Sequence, residues 1–535
     1  MSGRLRLLGQ ALITTFIALV LFLCLFADRL AYGSSAFGSI LREVAATCRD
    51  AGSQWMVFLC LAVYFVVCNL LRLRLADRCF WSPNNPDLWL AGALGAGSLV
   101  YALNYSAAAA STQALALLAG ATLGQGLAVW TEWRRDIGSR NRLLLVLMAL
   151  LLVGALWPPK VGRDFAYHGH ARWTGLWNNP NIFGLLMGMG TVVAAGQLIK
   201  RLRITGEKGN AENCSRGRSP SQVGVRGTKI PFSAFFAFSA VKRFFRIAGD
   251  GLHIVFFLSA GGIMAVGLLN SYSRGAWLAT ACGLAYFGWD ALRLSRVSRV
   301  SLWFRRNRPA LSAVLLSVVV GAFWQLHQVE HTVVRRALSA GNVNDFSWRN
   351  RVAAWEGALQ MMSDRPWLGF GWQHPGRVYD NLYLPPNVAE GAAFQLNDYL
   401  MLGASVGLPA FICFLVCVGL SLRGKAKGQR LKAEGRSQKD EGEGQKAEGK
   451  MLPTEGGIAT DDGVRIACRA GAIALFIGFW FDGGLFTLAT AAPFWILLAL
   501  GQEQPSLEHE VRRQRESGDG ALAFDGVEER VVSGS

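Results

Sequence analysis

The chain has 535 residues, 52% hydrophobic and 17% charged, with a positive mean hydropathy. That is too apolar and too sparsely charged for an ordinary soluble domain. The net charge of +18 would suit a nucleic-acid binder, but its placement along the chain assigns it to membrane topology instead.

Apolar residues fall into twelve charge-poor runs, at roughly 7–27, 53–71, 86–106, 110–131, 143–157, 181–199, 252–270, 275–292, 309–328, 397–421, 470–486 and 488–501. Runs of about 18 or more residues predict bilayer-spanning helices; the fifth and the last two are shorter, with soft edges. No segment alternates with a period of two, which argues against a barrel. The first run follows Arg4 and Arg6, is long for a signal peptide and lacks a clear small-residue cleavage site, so it reads as a retained helix. The expectation is an all-α polytopic bundle of about twelve helices with one long external loop.

With the N-terminus inside, the outward loops are 28–52, 107–109, 158–180, 271–274, 329–396 and the turn around 487. They carry 13 of the 54 Lys and Arg residues. The other 41 lie inward, which is the positive-inside rule, and both termini are expected in the cytoplasm. The basic excess thus reflects topology and anionic headgroups. The ten cysteines show no CxxC or Cys/His metal spacing, so no disulfide framework, metal or cofactor is expected.

Five segments follow. Residues 1–180 carry helices one to five and end in an external loop, "RDFAYHGHARWTGLWNNPN", with Arg163, His168, His170 and Arg172. Its Asn-Pro pair favours a turn from which a helix begins at Pro180 or Asn181. Residues 181–328 carry helices six to nine. Between them 200–246, with 11 Lys/Arg against two Glu, reads as disordered. Its end, "PFSAFFAFSAVKRFFR", suits either a helix flat on the inner leaflet or a basic loop.

Residues 329–396 form the long external loop, a lid. Trp348, Val352, Trp355, Leu359 and Met362 recur at helical spacing as one apolar stripe, with Arg349 and Glu356 opposite. Asp345 or Ser347 can cap this helix, and Pro366 ends it. Residues 397–501 carry the last three helices, with a Gly-Leu-Pro kink and a charged low-complexity linker over 423–469. Residues 502–535 are a polar tail.

Arginines are disfavoured near a bilayer and on its outer side. The chain nevertheless places Arg274 in the tight turn "NSYSRGAW" and Arg349 and Arg351 in the long loop. Guanidinium groups hold phosphate oxygens in bidentate geometry, so these residues point to an anionic substrate. Taken alone, such an arginine is more often a headgroup anchor or ion-pair partner. Arg274 is the strongest candidate, because its turn leaves it little room to reach elsewhere.

Four stretches, "RWTGLWNNPNIFG" (172–184), "NSYSRGAWLA" (270–279), "RNRVAAWEGALQMMSDRPWLGFGW" (349–372) and "LNDYLMLGASVGLPA" (396–410), resemble the O-antigen ligase and polymerase superfamily with the Wzy-C domain. The resemblance implies glycosyl transfer at the outer face of a bacterial cytoplasmic membrane. A glycan would pass from undecaprenyl diphosphate to a lipid, glycan or protein acceptor, without a metal. Arg172, Arg274 and Arg349 or Arg351 match the positions implied to stabilise the diphosphate. The family's pattern also supplies a histidine base, followed by a polar residue, nine residues and a Gly-x-x turn. Here Asn397 and Gly407 keep that spacing, but Leu396 stands at the histidine position, and leucine accepts no proton. The base is then His374, His168, His170 or Asp398, or no strong base is needed, or the chain binds or carries a lipid-linked glycan without transferring it.

Overall fold

The computed structural model describes residues 14–26, 60, 63–64, 66–68, 85–103, 112–134, 137–156, 166–167, 170–216, 253–295, 346–372, 375–386, 397–423 and 456–502. Among them the chain is helical save for a two-stranded ribbon of two residues per strand. In chain order the elements are α1 (Thr14–Phe26), α2 (Pro86–Leu103), α3 (Thr112–Arg134), α4 (Ile137–Leu156), β1 (Ala166–Tyr167), β2 (His170–Ala171), α5 (Pro180–Arg216), α6 (His253–Asn270), α7 (Arg274–Ser295), α8 (Phe346–Asp364), α9 (Pro375–Leu382), α10 (Asp398–Val406), α11 (Leu408–Leu422), α12 (Gly456–Phe481) and α13 (Leu488–Gly501). Pro180–Lys200, His253–Asn270 and Gly463–Phe481 are long and apolar enough to cross a membrane, and Thr14–Phe26, Leu117–Leu127, Leu408–Leu422 and Leu488–Gly501 are shorter apolar helices. The predicted span at 309–328 and most of 53–71 lie outside the described residues.

The bundle centres on α12, which packs along α5, α7 and α13; α13 lies on α3, and α11 on α2. Apolar helices in lipid gain little from hydrophobic burial, so close contact between small residues has to bring them together. Helix α5 supplies Gly184 and Gly188, one turn apart, facing α7. A methyl at Gly188 would come within 2.1 Å of Thr280 Oγ1, and one at Gly184 within 2.6 Å of Ser271 Oγ. The glycines therefore set how closely α5 and α7 approach.

Two ends of the bundle differ in chemistry. One gathers the turn between α6 and α7, the start of α5, the start of α10 and the 482–487 turn. The other gathers buried cations: Arg140, Lys200, Arg465 and Arg469. There Lys200 Nζ donates to Asn141 Oδ1 at 3.0 Å, and Arg469 Nε donates to the Gly501 carbonyl at 2.7 Å.

Three sequence expectations change. Helix α12 starts at Gly456, well ahead of the apolar run at 470, so the charged linker is shorter than its composition indicates. Four charges, Asp461, Asp462, Arg465 and Arg469, hide the helix from an apolar count. Helix α5 likewise runs on to Arg216, into the segment read as disordered. The packed face of α8 is not the large apolar stripe. Its buried residues are Asn350, Ala353, Ala354, Gly357, Ala358, Met361 and Met362, while Leu359 is 56% exposed. Small side chains let α8 lie close on α10, where Ala354, Ala358 and Met361 join Leu400, Met401 and Ala404. Of that stripe only Met362 is buried. Arg349 and Glu356 are exposed, as expected.

Candidate functional site

The α6–α7 turn is built for a purpose beyond reversal. Tyr272 takes a left-handed φ of 50°, unusual for a residue with a side chain. This sets Ser273 at the N-terminal cap of α7, where its Oγ accepts from the Ala276 amide at 3.2 Å. The same hydroxyl donates to Asp482 Oδ2 in a short hydrogen bond. Arg274 is then the first residue of α7, half-buried beside the cap. Gly275 follows for a steric reason: a Cβ there would lie 2.6 Å from Asp482 Oδ2.

Asp482 is the hub. It lies in the turn after α12, with its side chain 2% exposed. Arg351, on the face of α8 turned toward it, places Nη2 3.7 Å from Asp482 Oδ1. Burial pushes this carboxyl up from the ordinary aspartate range; the Arg351 charge, the Ser273 hydroxyl and the Arg172 charge work in the opposite direction. Two arginines separated by about a third of the chain thus act on one acid.

Arg172 is held from two sides. Its Nε donates to the Ser271 carbonyl and its Nη2 to Asn181 Oδ1, both at 2.7 Å. The Asn-Pro-Asn turn explains the second bond. Asn179 Oδ1 accepts from the Asn181 amide at 2.9 Å and so caps α5, while Pro180 occupies the first helical position. Asn181, one residue on, is left to orient the guanidinium. Simple capping accounts for Asn179 but not for Asn181.

Asn397 and Asp398 open α10. Asn397 Oδ1 accepts from the Leu400 amide at 3.1 Å, an N-cap bond, while its Nδ2 is buried with no hydrogen-bond partner among the described residues. Asp398 Oδ2 accepts from the Leu485 amide at 2.5 Å. Its carboxylate therefore ties α10 to the turn that carries Asp482. Ten residues on, Gly407 breaks the helix with φ 83°, which is the expected kink. The break leaves carbonyls at the end of α10, and the "WLGFGW" loop supplies their donors. Phe370 and Gly371 amides bond to Ala404 and Ser405 at 2.8 Å each, and the Leu408 amide donates to the Pro366 carbonyl at 2.7 Å. Trp372 continues the docking: Nε1 donates to the Gly97 carbonyl at 3.1 Å, and its ring lies 6.1 Å from Phe486.

The structure therefore brings Arg172 and Arg351 together around Asp482, with Arg274 at the adjoining helix start. Arg349, two residues from Arg351 and so about 200° around α8, is exposed on another face. His170 pairs through its backbone with Tyr167 in the small ribbon. Arg163, His168, His374 and Leu396 lie outside the described residues. Reading the sequence for outward arginines missed Asp482, Ser273 and Asn181. For Asp482 a signal existed: a single acid in the apolar stretch "FWFDGG".

The described residues thus define a bundle of membrane-length apolar helices with clustered arginines and a buried acid at one end. Residues 260–415 match the O-antigen ligase (Wzy-C) family. The match covers the last three of the four stretches that carried the resemblance and includes Ser273, Arg274, Arg351 and Asn397. Arg172 and Asp482 fall outside it and reach the matched segment only through the fold. No curated protein matches the chain. The match supports a membrane, glycosyltransferase-like role in polysaccharide biosynthesis.

Proposed function

We propose that the chain transfers a glycan from a polyprenyl diphosphate, of the undecaprenyl type, to an acceptor hydroxyl at the outer face of a bacterial cytoplasmic membrane. The observation that carries the reading is the convergence of Arg172 and Arg351 on buried Asp482, beside the start of α7 at Arg274. Breaking the glycosyl–phosphate bond leaves a diphosphate anion. Guanidinium groups fixed in place before reaction stabilise that charge without reorganising as it forms. Asp482, Ser271 and Asn181 supply the fixing, and Arg274 and Arg351 are the groups placed to meet the phosphates. Asn397 Nδ2, buried and without a hydrogen-bond partner among the described residues, is a donor that this end of the bundle leaves unsatisfied.

The acceptor hydroxyl must lose a proton. Leu396 cannot take it, and Asp398 Oδ2 already accepts from the Leu485 amide. We assign the base to His374, two residues after Trp372, whose ring packs on Phe486 in the turn that carries Asp482. His168 and His170 are the remaining choices. In this reading the chain spans the membrane twelve times with both termini inside, and 329–396 lies outside as a lid.

Deleting the gene and resolving surface glycans on a gel tests the function. Accumulated, unattached lipid-linked glycan indicates a ligase for lipid or protein, and a single-repeat ladder indicates a polymerase. An unchanged profile overturns both. A second reading, a family member that binds or carries lipid-linked glycan without transferring it, is favoured by one observation, Leu396 in the base position. Purified protein that binds the donor but yields no product in a transfer assay would establish it.

A further inference from the structure

Arg351 does not stand alone on α8. Trp348 and Trp355 lie three residues before it and four after it, on the same helical face. Their rings meet edge to face with centroids 5.6 Å apart, and Trp355 lies 5.7 Å from Trp480, two residues before Asp482. Tyr399 backs Trp480 at 6.0 Å. All three indoles keep part of their surface free: Trp480 is 36% exposed, and Trp348 and Trp355 are half-buried. The buried face of α8 is made of Asn350, alanine, glycine and methionine, and Trp355 packs at the edge of that contact while keeping part of its ring outside it.

We propose that Trp348, Trp355 and Trp480 form an aromatic platform that binds a pyranose ring of the lipid-linked glycan. This rests on the proposed donor chemistry. A sugar ring has one face of C–H bonds, weakly positive at its hydrogens, and an indole presents a negative face of matching width. The sugar bonded to the diphosphate is covalently bound to lie within a few ångströms of the guanidinium that holds the phosphate. On α8 the two indoles that flank Arg351 at three and four residues are its neighbours on the helix surface. The platform therefore selects for a sugar beside the phosphate, where the arginines alone would accept any polyprenyl diphosphate.

The test uses the full-length protein in lipid nanodiscs, with lipid-linked glycan extracted from the host as donor and sugar-free undecaprenyl diphosphate as competitor. Trp355→Leu keeps the apolar bulk and removes the aromatic face; Trp355→Phe keeps a face. We expect KM for the donor to rise about tenfold in Trp355→Leu, with kcat within about twofold, and to return toward the native value in Trp355→Phe. The inhibition constant of the sugar-free competitor should stay unchanged in both. An unchanged donor KM in Trp355→Leu overturns the platform. So does a competitor constant that rises in parallel, because the tryptophans would then hold the lipid or the fold. If the native protein shows no transfer, the proposed function fails, and donor binding by the same variants decides the platform: equal donor affinity in native protein and Trp355→Leu overturns it.

Discussion

At the residue scale the site turns on which groups a neighbour can replace. Arg274→Ala should lower transfer by about 3 kcal/mol, on the order of a hundredfold. Arg274→Lys should fail nearly as badly, because an ammonium is a point charge without the planar fork. A normal glycan profile in a strain stably expressing Arg274→Ala would refute the charge role. Asp482→Asn removes the charge that orients Arg351 and Arg172 but keeps the side-chain shape and a hydrogen bond for Ser273. It should raise donor KM and lower kcat with unchanged expression; normal kinetics would make the acid purely architectural. For the proton, His374→Ala should abolish transfer and Leu396→His should change it little. If His374→Ala retains transfer while Leu396→His accelerates it, the site is a weakened one with no relocated base. Asp398 was a candidate by sequence, and its bond to the Leu485 amide gives it a bracing role between α10 and the Asp482 turn.

At the element scale two contacts decide whether helices meet at all. Gly407 combines a φ of 83° with backbone contact: a Cβ there would lie 2.3 Å from the Trp367 carbonyl. Gly407→Ala should cost about 2 kcal/mol or more, from strain and from the displaced loop. Size-exclusion of detergent-solubilised protein after a heat series should show an earlier loss of the monodisperse peak; an unchanged midpoint would mean the loop does not depend on that approach. Gly188→Leu should force α5 off α7 and carry Arg172 away from Ser271, losing both the peak and activity. The α8 face teaches a related lesson. Periodicity locates the helix and Pro366 its end, but the apolar stripe points to the largest side chains where the structure packs the small ones. In a bundle held by close approach, the small residues are packed and the large ones border the site.

At the scale of the whole molecule, the proposed topology places 329–396 outside and 423–469 inside. Single cysteines introduced into a protein stripped of its native ones should react with an impermeant thiol reagent from outside at position 340 and not at 440. Labelling of intact cells at 440 would overturn the orientation. The opposed chemistry of the two bundle ends fits this assignment: buried Lys200, Arg465 and Arg469 gather at one end, and the Asp482 cluster at the other.

By itself the sequence determined a helical membrane protein, because long apolar runs are a property of composition along one dimension. Local rules likewise reached the Asn-Pro cap, the break at Gly407 and the arginines, since each depends on residues within about one turn. Asp482 was visible only as a lone acid. Its partners Ser273 and Arg351 are separated from it by more than a hundred residues, and no local rule links them. Only the tertiary structure decided that α7, α8 and α12 end at one point. It made a helix cap, an ion pair and three tryptophans into one place, because burial of a charge requires partners that the nearby chain does not supply.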